Sequence, residues 1–272
     1  MTVFSTLPRV RPLLLGMSLS TALLLSACAT GPASDASRIP DQRNAETQQQ
    51  GLFSQPVDWT REQPGCKGHC PKLVMKSLSF PGQERLNQLI EHGLLAMSWI
   101  DEDKSMPYDS FESYERYFWK TAGRADETDF IASTPYRNKD LTVLELKVGM
   151  YKTGMAHGIT GTQYLIWDNE SQKVLTLDDL LRRGASEDFE AVLRKAHAQW
   201  LKDTPAVQED PANFNRMWPF VPSDNVALTD SGLDVKYQSY EIAPYSFGQP
   251  TLHIPYTQLK NILRPEYLPP NG

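Results

Sequence analysis

The residues of this chain that could do chemistry are few and scattered. Cys66-Lys67-Gly68-His69-Cys70 holds two of the three cysteines. In an oxidising compartment such a pair is expected to form a disulfide, and three intervening residues including Gly68 allow closure. A loop that short puts its stabilisation near the low end of the usual ~2–4 kcal/mol. The same residues admit a metal site with His69, one ligand short of a closed zinc set, or a redox pair, although the spacing is not Cys-x-x-Cys. His157 sits between Ala156 and Gly158 in a glycine-bearing turn. Its imidazole either faces a ligand or hydrogen-bonds backbone to fix the turn; no carboxylate or second histidine stands close enough in sequence to suggest a catalytic or metal pair. Tyr237, Tyr240, Tyr245, Phe247 and Tyr256 concentrate aromatic rings near the C-terminus. They cap a core or form a binding face, with Tyr240 and Tyr245 the candidates for exposure because Pro244 and Gly248 mark an irregular loop.

Recognisable catalytic signatures are missing from the sequence. It contains no Gly-x-Ser-x-Gly elbow, His-Glu-x-x-His helix, phosphate loop or dinucleotide fingerprint. Glu91 and His92 stand on a helix without a second histidine, and Asp178 and Asp179 belong to a helix start. The expectation is therefore a binding protein with no catalytic residue, metal or cofactor written in the sequence. The alternative is a peptidoglycan-modifying or other cell-envelope hydrolase whose site is assembled only by folding, which sequence reading cannot see.

Charge narrows the partners. The chain has 27 basic and 33 acidic residues. Without residues 1–27, which carry Arg9 and Arg11 and no acid, 25 basic residues face 33 acidic ones, a net charge of −8. A chain this acidic, with no basic cluster, disfavours nucleic acid and favours a cationic protein or peptide. The N-terminus explains where such a partner would be met. Arg9 and Arg11 precede a short apolar run from Leu13 to Leu25, too short for a permanent span, and small residues follow it. Leu25-Ser26-Ala27-Cys28 resembles the lipobox of bacterial lipoproteins. That resemblance implies cleavage after residue 27 and acylation of Cys28, and several acyl chains hold a membrane stably where one is marginal. Ala29 stands where an aspartate would signal inner-membrane retention, so the implied address is the outer membrane, facing the periplasm. Residues 28–56, rich in Ala, Thr, Ser, Pro, Asn and Gln, read as a lipidated flexible tether.

The elements that must position the candidate residues follow from periodicity. Leu73 to Phe80 reads as a strand stopped by Pro81-Gly82, and Leu86, Leu89, Ile90, Leu94 and Met97 recur at helical spacing over 83–99. Tyr108, Phe111, Tyr114, Tyr117 and Phe118 suggest a second helix with an aromatic face. Asp129–Tyr136, Leu141–Tyr151 and Gly161–Asp168 are strand candidates; Leu141, Val143 and Glu145 share one face of the middle one, Leu144, Leu146 and Val148 the other. Thr176 caps a short helix, Ser186 is the expected cap of an amphipathic helix through Trp200, and Val226–Thr229 with Leu233–Tyr237 makes a hairpin. Thr251–Ile254 is a last strand and Tyr256–Leu263 a last helix. Strands and helices do not alternate regularly, so the expected fold class is α+β, an antiparallel sheet with packed helices. It divides into two small α/β subdomains, 57–137 and 138–272.

Two stretches resemble a known module. Tyr151-Lys152-Thr153-Gly154-Met155-Ala156-His157-Gly158, followed by a strand, a turn and Leu175-Thr176-Leu177-Asp178-Asp179-Leu180-Leu181, resembles the C-terminal domain of the RsiV-like family. Gly232-Leu233 through Tyr240-Glu241-Ile242-Ala243-Pro244-Tyr245-Ser246-Phe247-Gly248, with Ile254-Pro255-Tyr256-Thr257-Gln258-Leu259, resembles its closing segment in the same order. The resemblance spans about 140–264. That module occurs in anti-sigma factors whose outer part binds lysozyme and in peptidoglycan deacetylases, so it implies a partner at the cell wall: lysozyme, another protein, or peptidoglycan. Here Met155 stands where the family has a second glycine.

Overall fold

The structure, a computed structural model, describes residues 51–100 and 103–269. The signal segment 1–27, Cys28 and the tether up to residue 50 lie outside the described residues. The tether was expected to end at residue 56, but an ordered strand already begins at Gln55.

Six strands form one sheet in sequence order: β1 (Gln55–Glu62), β2 (Lys72–Ser79), β3 (Glu127–Arg137), β4 (Leu141–Tyr151), β5 (Ile159–Asp168) and β6 (Lys173–Leu175). Four of the five pairings are antiparallel. The expected α+β class, with helices packed on a largely antiparallel sheet, is what the chain adopts; the one departure is that β2 and β3 run parallel. A parallel pair needs a crossover, which α1 (Glu84–Met97) and α2 (Phe111–Thr121) supply. α2 opens on Ser110, whose hydroxyl accepts from the Ser113 N–H at 3.3 Å, so the aromatic helix starts later than Tyr108.

Period-two patterning then decides what the sheet buries. Met75, Phe130 and Val148 stand in register across β2, β3 and β4. They join Leu73, Ala132, Leu144, Leu146, Met150 and Trp167 in a core closed by Leu86, Ile90, Leu94, Tyr114 and Phe118 of the two helices. On the opposite face, Leu141 and Val143 of β4 with Tyr164 and Ile166 of β5 meet a second core. A separate three-stranded antiparallel sheet closes it: β7 (Val226–Leu228), β8 (Gly232–Lys236) and β9 (Thr251–Pro255). Phe189 and Leu193 of α4 (Ser186–Asp203) fill it further. The expected boundary at 138 therefore falls in the β3–β4 hairpin of one continuous sheet. What looked like two subdomains are two cores on the two faces of that sheet, because β4 and β5 are apolar on both.

Helix starts have local causes, and the expected cap at Thr176 is present. α3 (Leu177–Leu180) begins at Thr176, whose N–H and hydroxyl both donate to the Asp179 carboxylate at 2.8 Å. Ala185, not Ser186, occupies the cap of α4 and offers no side-chain bond. The Pro- and Asn-rich stretch after α4 holds α5 (Pro205–Gln208) and α6 (Pro211–Met217), each with proline in its first turn, where the missing N–H costs nothing. The last helix, α7, covers only Tyr256–Leu259. Among the described residues no helix is long and apolar enough to cross a membrane.

Candidate functional site

β4 and β5 are joined by a turn in which Gly154 takes φ +96°, a conformation open to glycine. The turn presents His157, which is exposed. Its Nδ1 lies 2.8 Å from the Gly158 carbonyl oxygen. A carbonyl only accepts, so the ring proton sits on Nδ1 and Nε2 is left as acceptor. The Tyr245 hydroxyl donates to the same carbonyl at 2.9 Å, and the two rings stack with centroids 3.8 Å apart. The Tyr240 hydroxyl reaches to 3.5 Å from His157 Nε2, and its ring is 5.8 Å from that of Tyr245. His157 is thus brought to Tyr240 and Tyr245, which follow it in the sequence by 83 residues or more. The turn-fixing reading of His157 is seen directly: Nδ1 braces the turn, while the exposed ring stacks on Tyr245.

What holds the patch in place is a second aromatic group beneath it. Tyr245 and Phe247 share one turn of 3₁₀ helix. Phe247 packs on Phe214 of α6 at 5.6 Å and on Trp200 of α4 at 6.2 Å. α6 ends at Met217, so the next residue, Trp218, comes to lie 6.3 Å from Tyr240. Met217 (59% exposed), Val221 (42%) and Tyr240 (54%) are among the large apolar side chains left in solvent, and they adjoin this ring group in sequence or space. Sequence reasoning missed Trp218, Met217 and Val221. The available signal was the density of Phe214, Trp218 and Phe220 in a stretch read as loop.

Tyr240 is held at φ +73°. For a bulky side chain that region costs on the order of 1–3 kcal/mol. Its N–H donates to the Ala243 carbonyl at 3.1 Å, and the Gln238 N–H donates to the Glu241 carboxylate at 2.6 Å, which lock the loop around it. Of the rest of the aromatic cluster, Tyr237 and Tyr256 are core residues whose hydroxyls donate to the Val221 and Thr229 carbonyls.

The remaining sequence candidates lie elsewhere. Cys66 and Cys70 are joined in a disulfide, with Cα atoms 5.9 Å apart, in the loop between β1 and β2. Among the described residues no group of three or more His, Cys, Asp or Glu side chains gathers as a metal site. A cavity of about 330 Å³ beside α2 is lined by Trp99, Tyr108, Tyr114 and Tyr117, but Tyr114 and Tyr108 spend their hydroxyls on Thr128 and Ser98, both at 2.8 Å. That cavity is braced for packing.

Comparison with known proteins agrees with this architecture. A family model described as a protein of unknown function, DUF3298, matches residues 178–257. The chain is similar to the crystal structure of a DUF3298 family protein from Pseudomonas aeruginosa PAO1, with 33% identity and a TM-score of 0.73, covering 80% of this chain and 97% of that one. It also resembles a DUF3298 member from Bacteroides fragilis, at 21% identity and a TM-score of 0.57, over 78% of this chain and 93% of that one, a likeness of fold. No curated protein matches.

Proposed function

The chain belongs to the DUF3298 family, and from that premise we propose that it is a lipid-anchored envelope protein, facing the periplasm from the outer membrane, that binds a protein partner through the patch of His157, Tyr240, Tyr245 and Trp218. The partner whose chemistry fits best is a cationic muramidase of the lysozyme type. One observation carries the reading: a tyrosine exposed by 54% is held in a strained conformation at the centre of a group of stacked rings. Strain that packing does not require is retained where a side chain must point outward. Tyrosine and tryptophan supply large contact area at low entropic cost, and they dominate the energetic centres of protein interfaces.

Two further features support it. The chain without residues 1–27 has a net charge of −8, which speeds encounter with a cationic partner. The resemblance of about 140–264 to the RsiV-like module, in a family setting where lysozyme is bound, points to the same partner. The lipobox-like Leu25-Ser26-Ala27-Cys28 supplies the anchor that keeps the patch beside the cell wall.

Calorimetric titration of the membrane-extracted protein with lysozyme, at low and moderate salt, tests this. Saturable binding is expected at both, weaker as salt screens the charges. Trp218→Ala and Tyr240→Gly are each expected to weaken it about thirty-fold, equivalent to about 2 kcal/mol at an interface centre. Tyr240→Gly also relieves the backbone strain, which offsets the ring contacts and chain entropy it costs, so its thermal midpoint is expected to stay close to that of the parent and lost affinity is separated from lost fold. No saturable heat at either salt removes the lysozyme reading. An N-terminus other than an acylated Cys28 in the same preparation removes the anchor.

A further inference from the structure

The outer face of the small sheet carries a constellation that the binding reading does not use. β8 and β9 pair antiparallel with Asp234 opposite His253. Leu233, Val235, Leu252 and Ile254 point into the core, so Asp234 and His253 share the opposite face. Asp234 Oδ1 lies 2.7 Å from His253 Nδ1. Ser231, in the turn between β7 and β8, places its Oγ 3.4 Å from His253 Nε2. The three side chains grade from a carboxylate 4% exposed, through an imidazole 43% exposed, to a hydroxyl on an exposed residue. A carboxylate only accepts, so the neutral imidazole carries its proton on Nδ1 and turns the Nε2 lone pair toward the serine.

Gly232 permits this approach. A Cβ there would stand 2.2 Å from the Ile254 carbonyl oxygen and 2.9 Å from His253 Cε1, so any other residue would push β9, and the histidine with it, away from Ser231. The turn is held by the Thr229 N–H donating to the Gly232 carbonyl at 2.9 Å and by the Tyr256 N–H donating to the Ser231 carbonyl at 3.2 Å. A cleft of about 490 Å³, lined by Thr229, Asp230, Ser231, Asp234, Thr251 and His253, opens over the hydroxyl.

We propose that Ser231, His253 and Asp234 form a hydrolytic site for esters of a short acyl group with a polar, uncharged or cationic alcohol. Ser231 is the nucleophile, His253 the general base and acid, and Asp234 a positioning residue. The lining sets the substrate class. It offers only threonine methyls to an acyl chain, too little for a long one, and two carboxylates that repel an anion. Ser231 Oγ attacks the ester carbonyl carbon while its proton passes to His253 Nε2. The carbon–oxygen bond to the alcohol then breaks, and the departing oxygen takes that proton. Water attacks the acyl-serine and gives a proton to Nε2; the bond to Oγ breaks, Oγ is reprotonated, and the carboxylic acid leaves.

One feature limits the rate. The N–H groups of Ser231 and Gly232, nearest the developing oxyanion, both donate to the Thr229 hydroxyl, at 3.3 and 3.1 Å. Each missing preorganised donor lowers turnover by on the order of 10²–10³. Covalent capture is therefore a better readout than turnover. The full chain is treated with a fluorophosphonate and the modified peptide identified by mass. Labelling is expected at Ser231 and abolished in Ser231→Ala, an exposed change that leaves folding intact. His253→Ala is expected to label at least tenfold more slowly and to recover partly with added imidazole. Asp234→Asn, nearly isosteric, is expected to slow labelling and shift its pH profile. p-Nitrophenyl acetate should be cleaved faster than the octanoate. An unlabelled Ser231 in folded protein, or labelling indifferent to His253→Ala, overturns the assignment.

Discussion

At the scale of single residues, histidine behaves in opposite ways in different settings of this chain. His157 and His253 stand at the surface with their ring nitrogens engaged, whereas His197 on α4 is 4% exposed and packs between Trp200 and Phe220. Burial pushes its pKa below the ordinary histidine value, with the Arg194 charge adding to the effect. The sign follows from linkage. The unfolded chain binds the proton more tightly than the folded one, so stability is fully present above the unfolded pKa of about 6.5 and is lost as pH falls below it. Urea titrations between neutral and mildly acidic pH should show this slope, and His197→Leu should flatten it. A slope unchanged in that variant would assign the acid sensitivity to other groups.

At the scale of elements, the informative strand is β5. β6 pairs with only Ile166–Asp168, so among the described residues the edge facing away from β4 at residues 160–164 has no strand paired to it. Side-chain amides take the strand's place. Asn225 accepts from the Tyr164 N–H at 2.8 Å and donates to the Thr162 carbonyl at 2.9 Å. Gln238 accepts from the Thr162 N–H at 3.0 Å and donates to the same carbonyl at 2.6 Å, while Gln249 donates to the Thr160 carbonyl at 3.1 Å. An uncovered edge would leave buried backbone groups unpaired and offer a template for aggregation. Asn225→Ala removes the acceptor of the Tyr164 N–H and leaves the Thr162 carbonyl to Gln238 alone, and is expected to lower unfolding free energy by about 2 kcal/mol. Equilibrium urea denaturation reads this, and a loss under about 1 kcal/mol would mean that water replaces the amide without penalty. Gln238 and Gln249 flank the aromatic loop and tether it to β5, so element and site are coupled.

At the scale of the whole molecule, both cores share β4 and β5. A fragment beginning at Asn138 would expose Leu144, Leu146, Val148 and Trp167, all of which the helices α1 and α2 help to bury. Such a fragment is expected to lack dispersed amide resonances and cooperative unfolding, although it spans the entire segment matched by the family model. A cooperatively folding fragment would restore an independent domain after residue 138. The aromatic patch and the Ser231 cleft are built from the loops and outer face of the second core's elements, so both depend on that shared sheet.

Local sequence was sufficient wherever one element answers to one periodicity. The alternation in Leu141–Tyr151, the helical spacing from Leu86 to Met97 and the Asp230-Ser231-Gly232 turn each specify their structure with neighbours alone, and the α+β class follows. β1 escaped notice because its exposed edge carries Pro56, Asp58, Arg61 and Glu62 in place of an apolar stripe. The parallel β2–β3 pairing depends on how α1 and α2 pack, a long-range free energy with no local code. The composition of Tyr240 and Tyr245 hinted at a surface, but their meeting with His157 and Trp218 required β4, β5 and α6 to converge. Ser231, Asp234 and His253 carry no motif at all. Their geometry comes from β-pairing register and from the room that one glycine leaves between two backbones, quantities that exist only once the chain has folded.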